Sequence, residues 1–157
     1  MSQRTTLARW AEDYLERLSV HHERIAKTLD GLSLEMIDAK QPQMNSIGML
    51  VMHLTEAERY WVAGVACERD YVRDREAEFN SSGLDAAALL ARLDEQRTFL
   101  QEAFASLDVS QLDDIRITPR DPDGCTVRWA LLHALEHTAL HTGHIQILRK
   151  YYQAQLA

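Results

Sequence analysis

Cysteine and proline are scarce in this chain of 157 residues, and it has no basic run and no long apolar run. The two cysteines, Cys67 and Cys125, stand far apart, which does not fit the disulfide framework of a small secreted protein. The first residues lack the apolar core of a signal peptide, and no stretch approaches the ~20 apolar residues of a membrane span. We therefore expect a cytoplasmic protein with no membrane partner.

The charge balance is acidic, with 24 Asp and Glu residues against 17 Lys and Arg and a net charge of -7. Without a basic patch, nucleic acid is not expected as a partner. The apolar content of 46% is that of an ordinary globular protein. At this length, residues 1–157 are expected to form a single domain that is large enough to bury a core.

Four long stretches have apolar residues at every third or fourth position, which is the period of an amphipathic helix. The predicted helices cover residues 5–30, 47–69, 84–107 and 126–152, and a short helical turn is expected over 32–40. Residues 112–125 are expected to form a loop or a short irregular hairpin. All three prolines fall between these stretches. The pattern predicts an all-α fold, a four-helix bundle.

Polar residues at the helix starts support these boundaries. Asn45 or Ser46 is expected to cap the second helix and Thr126 the fourth. Ser82, followed three residues later by Asp85, resembles the capping box of a third helix.

The histidines of the fourth helix form its most informative pattern. His133, His137 and His141 are spaced four residues apart, so they lie along one helix face, and His144 continues the row. Two imidazoles one turn apart can bind the same divalent ion, because each metal–nitrogen bond is about 2.0–2.1 Å long. His53 lies near the inward face of the second helix and is the expected third ligand.

We therefore predict a metal site of His53, His137 and His141. Three neutral imidazoles leave open coordination positions for water or substrate, as in catalytic sites, and they suit zinc, nickel or iron(II). Thr138 follows His137, so the glutamate of an HExxH metalloprotease is missing. Glu136 is either a partner of the ligands or a surface acid.

Two further histidines are candidate catalytic residues. His133 is too far along the helix to share an ion with both His137 and His141, so it is expected to bind a ligand or carry a proton. His144 is expected in the same role, although His141 and His144 with His53 remain an alternative ligand set. His21 and His22, on the first helix, are interpreted as boundary residues.

The remaining polar and aromatic residues are interpreted as structural. Glu56, Glu58 and Arg59 are expected on a solvated face. Gln96 and Arg97 interrupt the apolar stripe of the third helix, and an exposed break is favoured over a side chain that faces the site. Three aromatic residues are expected to fill the core, and both cysteines are interpreted as structural. The aromatic residues are Tyr60, Trp61 and Trp129.

Two segments together resemble the DinB/YfiT-like family of metalloenzymes. One runs from Asn45 through His53 to Trp61, and the other is His133-Ala-Leu-Glu-His137-Thr-Ala-Leu-His141-Thr-Gly-His144. The resemblance extends over essentially the whole chain and implies a bundle of up-down-down-up topology, which is usually a homodimer. It also implies a divalent metal held by His53, His137 and His141. In the most similar branch, however, the position of His137 is often a glutamate.

The resemblance implies a function as well. Some relatives are similar in fold to transferases and isomerases in which the metal activates a low-molecular-weight thiol such as mycothiol, bacillithiol or glutathione. We therefore expect a thiol-dependent S-transferase or isomerase that acts on a small-molecule substrate. The alternatives are a non-catalytic, stress-related dimeric module that binds metal or a ligand, and a hydrolase that uses metal-bound water.

Overall fold

The computed structural model describes residues 3–119 and 121–155. Four long helical units dominate it: α1 (Gln3–Leu29), α3 (Ile47–Glu58) with a π-helical continuation (Arg59–Ala66), α5 (Ala86–Phe104) and α6 (Val127–Gln155). Between them lie the short helices α2 (Leu34–Asp38) and α4 (Arg75–Phe79) and a 3-10 segment (Val109–Asp113). The strands β1 (Ile115–Thr118) and β2 (Asp121–Thr126) pair as an antiparallel hairpin. The all-α prediction is confirmed.

The helix directions follow from contacts between the long helices. Tyr14 of α1 donates a hydrogen bond to the carbonyl of Leu131, near the start of α6. Arg149, near the end of α6, donates to the carbonyls of Lys27 and Thr28 at the end of α1. Because the earlier residue of α1 contacts the earlier residue of α6 and the later residues contact each other, α1 and α6 run parallel.

The other two helices run in the opposite direction. His53 in α3 contacts His137, while Trp61, further along, contacts the earlier Trp129, so α3 and α6 are antiparallel. On α5, Arg92 donates to Thr55 and the later residue Phe99 packs under Arg59, so α5 is parallel to α3. The topology is up-down-down-up, as the family resemblance implies, with α6 and α5 each packed between α1 and α3.

The predicted caps of two long helices are confirmed, and the third is wrong. Ser46 accepts a hydrogen bond from the backbone N–H of Met49, and Thr126 accepts one from Trp129. The third long helix begins later than expected, with Asp85 as its N-cap in place of Ser82. Gly83 has a φ of +77°, so the chain turns there before the helix begins.

The two larger apolar clusters of the described residues fill the bundle, one around Ile25, Leu54 and Ile145 and the other around Leu18, Leu100 and Leu131. Between them lies a layer of buried polar side chains, one or more from each long helix. Its members are His22, Thr55, Glu58, Gln96 and Thr138.

Glu58 is the acceptor at the centre of this polar layer. Its carboxylate accepts hydrogen bonds from His22 Nε2 (2.9 Å), Gln96 Nε2 (2.8 Å) and Thr138 Oγ1 (2.7 Å). The expectation that Glu58 lies on a solvated face is therefore wrong, as is the exposed interpretation of Gln96, since both are fully buried. His22 is likewise buried and not a boundary residue. A carboxylate can be buried here because three donors from three other helices replace water.

Trp129 also departs from expectation, since it is 48% exposed and not part of the core. It stacks on His133 at a ring-centroid distance of 4.9 Å, and Trp61 meets both rings edge-on. None of the helices in the described part of the chain combines the length and the apolar character that a membrane span requires.

Candidate metal centre

Three imidazoles from two helices converge inside the bundle. His53 from α3 and His137 and His141 from α6 each offer one ligand atom, and these atoms lie within 4.8 Å of one another. The rings of His137 and His141 are 4.4 Å apart between centroids, as the four-residue spacing dictates, and His53 Nε2 lies 3.1 Å from His137 Nε2. The structure thus brings together the three residues that the sequence singled out.

His53 is oriented by two residues that the sequence analysis missed. Its Nδ1 lies 2.9 Å from Oε2 of Glu78, and Glu78 is itself clamped by Arg73, whose Nη2 donates to the same oxygen at 2.8 Å. We assign the proton to Nδ1 of His53, because the carboxylate can only accept. The Nε2 atom of His53 then turns a free lone pair toward His137.

The run of charged residues before α5 has the composition of a solvated connector, yet it supplies this support. Asp74 caps the short helix α4 by accepting from the N–H of Ala77, and one turn of helix carries Glu78 inward. Glu78 is 2% exposed. Nothing in the local pattern distinguishes it from its exposed neighbour Glu76, so only the pairing with His53 and Arg73 identifies it.

The electrostatics keep the imidazoles neutral. Burial, together with the nearby imidazoles of His141 and His53, lowers the pKa of His137 to about 3. Burial and the imidazoles of His53 and His144 lower the pKa of His141 to about 4. Burial also lowers the pKa of His53, although Glu78 opposes the shift. Neutral imidazole is the form that binds a metal.

The donor set fits a divalent ion. Two nitrogens bound tetrahedrally at about 2.05 Å are roughly 3.3 Å apart, which is close to the 3.1 Å between the Nε2 atoms of His53 and His137. Glu78 holds His53 as a carboxylate holds a ligating histidine in many metal sites. Nδ1 of His137 is buried with no partner among the described residues.

The other two histidines of the α6 row lie at opposite ends of this group. His144 is exposed, and its Nδ1 lies 3.3 Å from Nδ1 of His141. His133 is half-buried, with its ring 6.1 Å from that of His137. His144 does not belong to the converging group, so the alternative ligand set has less support from the geometry. Glu136 is exposed.

A cavity of about 390 Å³ adjoins the imidazoles on the side of His141. Its walls come from the loop before α3, from α3 and from the C-terminal half of α6. They are formed by Gln43, Met44, Asn45, Leu50, His141, His144, Ile147 and Leu148. The arrangement therefore combines a candidate metal site with an adjoining space large enough for a small molecule.

Fold and site together define an all-α bundle protein with a three-histidine group that could hold a metal ion. The sequence pattern of the mycothiol-S-transferase family matches residues 13–154, and the chain belongs to that family. This membership confirms the resemblance seen in the sequence.

Solved structures support the same fold. A conserved protein from Enterococcus faecalis is similar over 88% of this chain and 94% of its own, with a TM-score of 0.66 and 17% sequence identity. At that identity the likeness concerns the fold alone. No protein of curated function matches the chain.

Proposed function

We propose that the protein is a metal-dependent S-transferase that joins a low-molecular-weight thiol to a small electrophile. The observation that carries the proposal is the convergence of His53, His137 and His141 in a chain of the mycothiol-S-transferase family. The family name makes mycothiol the first thiol to test. Because such thiols stay reduced in the cytoplasm, we propose that compartment as the site of action.

In this proposal, the three imidazoles would hold a zinc, nickel or iron(II) ion. Such an ion would supply Lewis acidity that favours the thiolate form of a thiol near neutral pH. Glu78 fixes the orientation of His53 by accepting a hydrogen bond from its Nδ1–H. Burial alone would raise the pKa of the Glu78 carboxyl, but the guanidinium of Arg73 holds that pKa below the ordinary value and so keeps Glu78 ionised.

His144 and His133 are the proposed proton carriers. His144 lies on the wall of the cavity next to His141, so its imidazole can take up the proton that the thiol releases and return it to the product. His133 can serve a substrate that extends along α6 toward Trp129. Of these two histidines, His144 is the favoured proton carrier because it lines the cavity beside His141.

The metal proposal is tested by elemental analysis of protein purified without a histidine tag. We expect about one ion per chain, and we expect His53→Ala and His137→Ala to lose it, because two remaining imidazoles bind a divalent ion far more weakly. His21→Gln is the matched control, a histidine of α1 outside the group. If both site variants keep the ion, the ligand assignment is wrong.

The enzyme proposal needs its own assay. Consumption of mycothiol with a model electrophile should stop on chelation and return on addition of metal. A chelator that lowers the melting temperature of a protein with no detectable turnover would instead favour the non-catalytic module.

We also propose that the protein is a homodimer that pairs through α6. Apolar side chains are exposed along one face of this helix, and Leu132 and Leu140 are each more than half exposed. Trp129 and Tyr151 extend the same face. An apolar helix face of this length is typical of an interface. Light scattering should show that the wild-type protein is a dimer and that Leu140→Asp dissociates it. Ile117→Asp, on the hairpin, is the control and should remain a dimer. A monomeric wild type would refute pairing.

A further inference from the structure

The cavity beside His141 differs in chemistry from the opposite side of the metal centre. On the opposite side, Arg73 and Glu78 form a buried ion pair against His53. Around the cavity, none of the described lining residues is an aspartate, glutamate, lysine or arginine. Its walls are mainly apolar side chains such as Leu50 and Leu148, and its polar groups are the amides of Gln43 and Asn45 and the imidazoles of His141 and His144. Such walls offer a charged ligand no carboxylate, ammonium or guanidinium partner.

Gln43 has a strained backbone at this cavity. Residues 41–44 form a turn closed by a hydrogen bond from the N–H of Met44 to the carbonyl of Gln41 (3.0 Å). Pro42 occupies the second position, and Gln43 occupies the third with a φ of 65°. That position of the turn favours glycine or asparagine, because other side chains cost about 1 kcal/mol or more there. Gln43 is therefore a lining residue of the cavity in a backbone conformation that costs stability.

We propose that this cavity binds the electrophilic co-substrate and selects an uncharged molecule with an apolar body and an oxygen acceptor. The inference rests on the proposed S-transferase function. The side chains of Leu50, Met44 and Leu148 receive the apolar body, and the amide of Gln43 donates a hydrogen bond to the oxygen. The reactive carbon then lies toward His141, where the three imidazoles converge.

An epoxide serves as the probe because its reaction with a thiol is balanced without any other reactant. The sulfur–carbon bond forms, the carbon–oxygen bond of the ring breaks, and the electron pair goes to the oxygen. The oxygen takes the proton that the thiol releases, which His144 can carry. Styrene oxide and its para-carboxylate form a matched pair that differ in charge.

The turnover experiment uses the metal-loaded protein with mycothiol and each epoxide. We expect kcat/KM to favour the neutral epoxide by roughly tenfold, because a carboxylate gains no cationic partner from walls that stay partly open to solvent. Met44→Lys should reverse much of this preference for the neutral substrate, because its ammonium gives the carboxylate a partner. The protein should stay folded, because Met44 is 46% exposed. Ile117→Lys, on the hairpin, is the control. Equal use of both epoxides would overturn the inference.

The Gln43→Gly variant distinguishes the effect of losing the amide on substrate binding from the effect of relieving backbone strain on stability. The glycine should keep or raise the melting temperature, since it relieves the positive φ, while KM for the neutral epoxide rises roughly tenfold through the lost hydrogen bond. Glu68 is the control, because it is the other described non-glycine residue with a positive φ, at 51°, and it lies away from the cavity. Glu68→Gly should relieve strain and leave KM unchanged. An unchanged KM in Gln43→Gly would remove the proposed role of its amide.

A binding measurement distinguishes failure of this inference from failure of the proposed function. Styrene glycol, which cannot react, is titrated into the protein without thiol and followed by NMR shifts of the cavity residues. Binding that Met44→Lys weakens, in a protein without turnover, would support the cavity and refute the transferase. Turnover that neither Met44→Lys nor Gln43→Gly alters would support the transferase and refute the cavity.

Discussion

Nδ1 of His53 lies 2.9 Å from a carboxylate oxygen of Glu78, 25 residues further along the chain. This contact joins α3 to α4 and fixes which nitrogen of His53 faces His137. A carboxylate in this position increases the basicity of a ligating imidazole and restricts its rotation. The orientation of His53 in the three-histidine group thus depends on a residue outside the histidine pattern.

The first prediction concerns that contact. Glu78→Gln should weaken metal binding about 10- to 100-fold, the usual effect of removing such a partner. Competition with a chromophoric chelator measures the affinity, and circular dichroism checks the fold, because the change also leaves Arg73 without its anion. Glu76→Gln, on the exposed side of the same helix, is the control. Equal affinities in the two variants would mean that Glu78 does not position His53.

The second prediction concerns the pH dependence of the metal-free protein. Burial lowers the pKa of His137 to about 3 and that of His141 to about 4. Both stay neutral in the folded state at about pH 5, whereas in the unfolded chain they have an ordinary pKa near 6.5 and bind protons. Since the unfolded state then binds more protons, the free energy of unfolding should fall as pH is lowered through about 6.5 toward 4.

Urea unfolding in the presence of a chelator, at neutral and acid pH, measures this dependence. His22 acts in the opposite direction: burial alone would lower its pKa, but Glu58 holds that pKa above the ordinary value. The comparison is therefore with His137→Asn, in which the loss of stability toward acid should be smaller. If the variant and the wild type lose stability equally, His137 does not titrate as proposed.

The sequence predicted those features that depend on helical period. The long helices and the cap at Ser46 follow from local sequence patterns, and the structure agrees on both. Spacing on one helix face also places His137 and His141 side by side, and the structure brings His53 of α3 to them in a group that could hold a metal ion. Periodicity says nothing about partners on other elements. Glu58 was therefore expected to be exposed, although three donors from other helices make its burial favourable.

The same limit applies to Glu78 and Trp129. Glu78 belongs to a run of charges that is typical of a solvated connector, and only its pairing with Arg73 and His53 makes its burial favourable. Trp129 has the hydrophobicity of a core residue, but the structure places it half exposed on α6. For Glu78 the deciding contact is with His53, 25 residues earlier in the chain.

The third prediction compares two glycines with opposite surroundings. Gly143 lies within α6, and a Cβ built there meets nothing within 4 Å, so Gly143→Ala should stabilise the protein by about 0.5–1 kcal/mol. Gly124 has a φ of +80°, and a Cβ there would lie 2.8 Å from Ile115 Cγ2 and 3.0 Å from the carbonyl oxygen of Arg116. Gly124→Ala should therefore destabilise by about 1–3 kcal/mol. Urea unfolding measures both, and changes of the same sign would contradict the argument.

The last prediction concerns the buried polar layer. Glu58→Ala should destabilise the protein by about 3–5 kcal/mol, because it removes the acceptor from His22, Gln96 and Thr138 and leaves their donors buried and unpaired. Asp94→Ala is the control, since its ion pair with Arg97 is exposed, and the change should stay within about 0.5 kcal/mol. Chemical denaturation measures both.

A double-mutant cycle with His22→Ala tests whether the layer acts as one network. If His22 and Glu58 stabilise each other, the double variant should lose less stability than the sum of the single losses, by about 0.5–3 kcal/mol. Strict additivity would mean that the 2.9 Å contact between them contributes nothing to stability. Metal content should stay at the wild-type level in every variant that folds, because no side chain of this layer is hydrogen-bonded to His53, His137 or His141 among the described contacts.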